Sequence, residues 1–325
     1  FIQLSKYCDF LLLHQIQLKD VCLQESSEVD MHFVAQDVGI EAKYLQLFAA
    51  FFDIFERNDW LESVDQRGLY KVLDIPVVKQ EDIVAMREAL VEKYPFLDGH
   101  VHLVTTCAES YWPILIGETA ATEIMFPGGS NDLVEPMYKN NPLSDIFNEQ
   151  VTGVTLEYLK KWSPKRKVRI LEIGAGTGGT SANVLKAIAE SGADVTYIYT
   201  DVSSHFLAYG RKTFGIHYPF MDFALLDVGK EVSPQGFRMH SFDIVIAANV
   251  LHTTQTMDVT LGNVASLING DGIVVINELT SFTIFSTMTF GLLDGWWAFD
   301  DPENRIKGSP LLSPLGWKDL LRRVG

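Results

Sequence analysis

Three carboxylates, Glu172, Asp201 and Asp227, are spaced around a glycine-rich run, Gly174-Ala175-Gly176-Thr177-Gly178-Gly179. Glycines at this spacing permit a tight turn and let a ligand approach the backbone closely. The letters fit G-x-G-x-x-G, a weak signal alone, because an ordinary strand-to-helix packing turn uses the same residues. The acids discriminate between nucleotides. A carboxylate two residues before the first glycine disfavours a pyrophosphate anion but suits a cationic sulfonium and its ammonium group. Asp201 can accept hydrogen bonds from both hydroxyls of a ribose, and Asp227 from an adenine amino group. Taken singly, Asp201 and Asp227 read as helix N-caps or turn residues; three acids in this order favour a ligand site.

These side chains need a frame that brings them to one place, and the apolar pattern supplies it. Runs at Val168–Ile173, Val195–Thr200, Asp222–Asp227, Phe242–Ala247 and Gly272–Asn277 read as strands. Helical stretches at Thr180–Glu190, Ser204–Phe214 and Val259–Leu267 alternate with them. Apolar strands alternating with helices predict a doubly wound, mostly parallel α/β sheet covered on both faces. Each of the three acids then lies at the carboxyl end of a strand, the edge where open α/β sheets bind ligands.

Residues 1–163 read as a mainly helical domain that forms a lid, and residues 164–325 as the nucleotide-binding core. Tyr44–Phe55 is apolar at nearly every position and suits a well-buried helix, whereas Gln80–Tyr94 puts Ile83, Met86, Leu90 and Val91 on one face. Pro127–Ser130 reads as a loop, and Asn141-Pro142 as a turn ahead of a further helix. Pro314–Val324 reads as the helix after the fifth strand, so the core is expected to lack its last strands, as in a piece of a larger enzyme.

With 325 residues, 47% of them hydrophobic, the chain can bury a core of about two domains. No secretory leader and no membrane-spanning run is visible, and the expectation is a soluble, cytoplasmic protein. Cys8, Cys22 and Cys107 are odd in number and widely spaced, which points to buried thiols in a reducing compartment rather than a disulfide or zinc framework. The net charge of −16 repels a phosphate backbone, so nucleic acid is a poor partner. The basic run Lys160-Lys-Trp-Ser-Pro-Lys-Arg-Lys-Val-Arg169 enters the amino end of the first core strand, opposite the ligand edge. It reads as a solvated linker or a contact with a neighbouring domain.

The runs Leu171–Thr180, Tyr199–Ser203 and Leu226-Asp227 resemble those of class I methyltransferases. Phe242–His252 followed by Ile276–Leu279 is similar, more narrowly, to the C-methyltransferase domains of polyketide synthases. That resemblance extends to Pro113–Glu118, Phe126–Ser130 and residues 138–148, and is loose over the first hundred residues. It implies S-adenosylmethionine as cofactor, S-adenosylhomocysteine as product, and a cofactor site made of Glu172, Gly174, Ala175, Gly176, Asp201, Leu226, Asp227 and Asn249. It also implies methyl transfer to the α-carbon of a β-ketoacyl thioester on an acyl carrier protein, inside a synthase with neighbouring domains.

That α-carbon, though acidified by two carbonyls, still needs a base. The family's His–Glu dyad maps onto His252, just after the fourth strand, and Glu278, at the end of the fifth. An imidazole suits the task near neutral pH, and a carboxylate on its far nitrogen fixes the tautomer. The bland alternative is a structural histidine and a solvated glutamate. Tyr138 could hold a substrate carbonyl, with Tyr111 as competitor. Phe282, Phe285, Trp296 and Trp297 could line an acyl pocket or be ordinary core. Three other readings stay open. A nicotinamide-dependent reductase explains the glycines but not Glu172 or the dyad. An inactive structural domain would not need the dyad. A metal-assisted malonyl methyltransferase of a loading module would need ligands, and no compact His/Asp cluster is apparent.

Overall fold

The computed structural model describes residues 2–19, 21, 23, 27–65, 67–138 and 141–325. The chain forms two compact units. The first takes the chain up to Pro136 together with Phe282–Trp297 and Lys307–Ser309; the second takes Met137–Ser281, Ala298–Ile306 and Pro310–Gly325. The texture change near residue 163 is therefore not the unit boundary. The helix Pro142–Trp162 belongs to the second unit because Val151, Tyr158 and Leu159 are buried in the core of its sheet. The return of residues 282–297 to the first unit has no sequence signal, since a chain crossing between units keeps the same local pattern.

In the first unit, Leu45–Arg57 buries Leu47, Phe48, Phe51, Phe52, Ile54 and Phe55, as its composition predicts. Gln80–Lys93 is amphipathic, with Ile83 and Leu90 buried. The region is not wholly helical: β1 (Glu28–Asp30), β2 (Leu61–Ser63) and β3 (Leu69–Val72) form an antiparallel sheet in the order β1-β3-β2. Strands of three or four residues are too short for an alternating pattern to register. Cys8 and Cys107 are buried free thiols, and burial pushes the Cys107 thiol up to about 12. Cys22 lies outside the described residues.

The second unit holds β4 (Val168–Ile173), β5 (Val195–Asp201), β6 (Met221–Leu225), β7 (Phe242–Ala248) and β8 (Ile268–Asn277). They pair in parallel in the order β6-β5-β4-β7-β8. Alternation along β4 and β7 separates two cores. Ile170, Ile244 and Ile246 pack with the helices Pro142–Trp162 and Gly179–Ser191. Leu171, Ile173, Val245 and Ala247 pack with Met257–Leu267 and Pro314–Val324 on the opposite face. Both faces are covered, as a parallel sheet requires. Among the described residues no helix is long and apolar enough to cross a membrane.

Part of the basic run is structural rather than solvated. Asp243, 2% exposed near the amino end of β7, pairs with Arg166 and accepts from Arg169 N (2.7 Å) and Asn269 Nδ2 (2.6 Å). Lys161, Lys165 and Arg166 surround the Trp162 ring at 4.9, 5.0 and 5.1 Å. Asp243→Ala leaves three donors, the Arg166 guanidinium among them, without their acceptor and is expected to lower stability by at least about 2 kcal/mol in urea unfolding. An unchanged midpoint would mean that water replaces the carboxylate at this edge.

Candidate active site

The glycine run leaves β4 and opens the helix Gly179–Ser191. Gly174, Gly176 and Gly178 all have positive φ, between 55° and 72°. At Gly174 a Cβ would overlap the Val250 side chain, and at Gly178 the Phe214 ring. At Gly179 it would stand 2.7 Å from the Tyr138 carbonyl oxygen. Gly176 differs: its left-handed backbone faces open space, with nothing nearer a Cβ than Gly174 O at 3.9 Å. Strain and packing thus account for the outer glycines, and Gly176 leaves room over the loop for a ligand. Ala175 is tied to β5 by its N–H on Thr200 O, 2.9 Å.

Asp201 ends β5 and holds this loop. Its Oδ2 accepts from Gly176 N at 3.0 Å and its Oδ1 from Ser203 N at 2.8 Å. Each oxygen keeps a further lone pair for a ligand hydroxyl. Burial raises the Asp201 carboxyl above its ordinary range, opposed by these backbone donors. The anchoring of the loop by Asp201 is a role that spacing alone does not reveal.

Glu172 is buried, 2% exposed, and its Oε2 accepts from Ser181 Oγ (2.6 Å) and Tyr197 OH (2.7 Å). Burial pushes its carboxyl up to about 7, against the two hydroxyls, with the Asp201 charge adding to the rise. A cation brought to the loop would favour the ionised form. Ser181 and Tyr197 carry no motif and could not be singled out from sequence.

The expected adenine-side residues are less committed to a ligand. β6 ends two residues before Asp227 rather than at it. Asp227 caps its own turn through Gly229 N (3.1 Å) and pairs with Lys230 at 2.8 Å. Leu226 is core, and its N–H is spent on Asp201 O at 3.1 Å.

At the neighbouring strand ends, Ala248 of β7 stands beside Asn277 of β8. One step further, the Glu278 side chain is 2% exposed and accepts three hydrogen bonds. Oε1 takes Val250 N (2.9 Å) and Leu251 N (2.7 Å); Oε2 lies 2.6 Å from His252 Nδ1. The same carboxylate therefore caps the short 3₁₀ turn Leu251–Thr253 and orients the imidazole within it. Asn249 adopts φ 51°, a conformation asparagine tolerates better than most residues. Its N–H donates to Asn277 O (2.8 Å) and its Oδ1 accepts from Leu279 N (3.2 Å), which brackets Glu278 on both sides. These bonds account for Asn249 as a splice between strand ends.

Tyr138 belongs to the same unit. It packs against Gly179, and burial followed by the charge of Glu278 pushes its hydroxyl up to about 12. Tyr111, its competitor, spends its hydroxyl on Met288 O at 2.6 Å in the first unit. Phe282 and Trp296 also fall in the first unit, Phe282 under the Arg57 guanidinium at 3.8 Å and Trp296 stacked on Phe290. Within that unit they act as packing residues. Among the described residues no three His, Cys, Asp or Glu side chains gather as a metal site.

Residues 171–274 match a family model described as a methyltransferase domain. Polyketide synthase PksR of Bacillus subtilis (strain 168) is 41% identical over 229 residues, 69% of this chain and 9% of that synthase. The chain therefore spans only a small part of that curated relative. The DszA carbon methyltransferase structure superposes with a TM-score of 0.93 at 35% identity, covering 99% of this chain and 82% of that one. The trans-methyltransferase CalH, solved in complex with SAH, shares the fold at a TM-score of 0.73 and 24% identity, covering 99% of this chain and 83% of that one.

Glu172 generates a test with a fixed sign. Its folded value lies above the ordinary carboxylate range, so its contribution to stability is full in acid and is lost as pH rises through about 7. Glu172→Gln removes that dependence. The unfolding midpoint of the variant relative to the parent should climb between pH 5 and pH 8. A difference independent of pH would show that Glu172 is ionised in the fold throughout.

Proposed function

The chain belongs to the carbon methyltransferase domains of polyketide synthases, and we propose that it methylates the α-carbon of a β-ketoacyl thioester carried on an acyl carrier protein. The methyl donor in this proposal is S-adenosylmethionine, and neighbouring domains of the same synthase deliver and remove the carrier. The observation that carries the reading is the 2.6 Å contact of His252 Nδ1 with a buried carboxylate, joined through Val250 to the glycine loop.

The site fits the cofactor on its own terms. Gly176 leaves a cradle, Asp201 keeps lone pairs for two ribose hydroxyls, and Glu172 supplies a carboxylate that a nearby cation would ionise. When bound, the cofactor supplies an electrophilic methyl on a positively charged sulfur and departs as the neutral thioether S-adenosylhomocysteine. The chain's own residues make the nucleophile. With its Nδ1–H donated to Glu278, His252 takes the α-proton at Nε2, and Glu278 stabilises the imidazolium that forms. The C–H electron pair becomes an enolate and forms the new carbon–carbon bond. Tyr138, kept protonated, donates to the oxygen on which that charge develops. The sulfonium is already activated, so the demand on the protein is carbanion formation and alignment.

His252→Ala should lower methyl transfer to a β-ketoacyl carrier thioester by about 10²–10⁴-fold, followed by mass spectrometry, while cofactor affinity stays nearly intact. Glu278→Gln should cost less, since it leaves the imidazole in place and keeps one acceptor oxygen for the Val250 and Leu251 N–H groups, while losing the charge and the acceptor on His252 Nδ1. Near-normal turnover of His252→Ala would remove the dyad from the mechanism.

Asp201→Ala should weaken S-adenosylmethionine binding by about 2–4 kcal/mol in calorimetric titration, because it removes both the loop anchor and the hydroxyl acceptor. Parent and variant titrated with NADPH should show no binding. Unchanged affinity for S-adenosylmethionine would mean the ribose lies elsewhere.

A further inference from the structure

The loop between Ala298 and Ser313 contains a buried ion pair that no step above uses. Arg305 is 8% exposed and Asp301 4% exposed. The guanidinium donates from Nε to Asp301 Oδ1 at 2.7 Å and from Nη1 to the carbonyls of His252 (3.0 Å) and Pro310 (2.8 Å). From Nη2 it donates to Thr254 O at 2.9 Å. The other Asp301 oxygen accepts from Met257 N at 2.8 Å, the first residue of the next helix. Every contact lies within the second unit.

A buried ion pair is a poor device for stability alone. Desolvating both ions costs nearly what their attraction returns, and apolar residues of similar volume do as well. What this pair provides is geometry. The His252 carbonyl within the short turn Leu251–Thr253 and the Thr254 carbonyl just after it both take a donor from Arg305. One planar guanidinium meets both, and its rigid fork sets their separation. On the opposite side Glu278 holds the N–H groups of Val250 and Leu251 and the imidazole itself. His252 is thus gripped from two directions, its side chain by Glu278 and its backbone carbonyl by Arg305, 26 and 53 positions away in sequence.

We infer that Arg305, braced by Asp301, is a positioning residue for His252, keeping the imidazole aligned between Glu278 and the α-proton. The inference rests on the proposal that His252 is the base. Loss of the clamp lets the turn shift, and a shift of about 1 Å at a reacting group can cost about 100-fold in rate. Lysine, with a single point of charge on a flexible stem, cannot meet both carbonyls while paired to Asp301.

The test uses Arg305→Lys and Asp301→Asn in the same chain, with three readouts. These are cofactor affinity, single-turnover methyl transfer, and the downfield proton resonance of His252 Nδ1–H in ¹⁵N-histidine-labelled protein, identified by its loss in His252→Ala. Arg305→Lys should bind cofactor within about twofold of the parent, lose about 10–100-fold in transfer rate, and weaken or broaden the Nδ1–H resonance. Asp301→Asn, which keeps an acceptor for Met257 N–H, should show the same pattern to a smaller degree. It serves as the deciding variant if Arg305→Lys does not fold. A folded variant with the parent resonance and the parent rate overturns the inference. Failure of the base reading looks different: His252→Ala would retain turnover, and the resonance alone would then decide whether Arg305 positions the ring.

Discussion

Parallel strands present like ends to one edge, so a sheet of five parallel strands delivers five carboxyl termini to the same place. The glycine loop, Asp201 and the His252–Glu278 pair follow from that delivery. Because β4 lies between β5 and β7, the glycine loop emerges beside Asp201 on one side and Val250 on the other. Because β7 pairs with β8 so that Ala248 meets Asn277, the next residues on the two strands can exchange hydrogen bonds. A shift of one residue in either register would turn Glu278 away from the turn that carries His252.

Buried carboxylates then divide the labour at the two edges of the sheet. At the amino edge Asp243 is matched by a cation and two neutral donors, and serves the fold. At the carboxyl edge Glu278 has three donors and Asp201 two backbone N–H groups, while Glu172 has only two hydroxyls and is pushed up to about 7. The least compensated carboxyl is thus Glu172, two residues before the glycine run. A cationic ligand there would supply what the protein withholds.

The histidine of the dyad depends on a longer circuit. Its side chain is held from β8, and its backbone from a loop whose Asp301 also receives the first N–H of the helix Met257–Leu267. The loop, the turn and the helix start are thereby one hydrogen-bonded unit around a short stretch of chain. A base that must meet a carbon acid gains from such rigidity, because proton transfer falls off steeply with misalignment.

The local pattern determined the core strands to within a few residues, the turn at Gly174–Gly179 and the helix Pro314–Val324, whereas the pairing of His252 with Glu278 was expected from the family resemblance. Apolar periodicity, glycine spacing and the ends of strands are properties of short segments, and parallel α/β topology then leaves little freedom in which ends meet. The tertiary structure alone decided that Asp201 anchors the loop, that Ser181 and Tyr197 satisfy Glu172, and that Arg305 reaches the His252 carbonyl. It also decided that residues 282–297 return to the first unit, that three short strands interrupt its helices, and that Arg166 pairs with the buried Asp243. Each of these is a pairing between groups far apart in the chain, or an element too short to show a period. A serine, tyrosine or arginine looks the same in sequence whether its partner is water or a buried carboxylate; only the folded geometry supplies the partner.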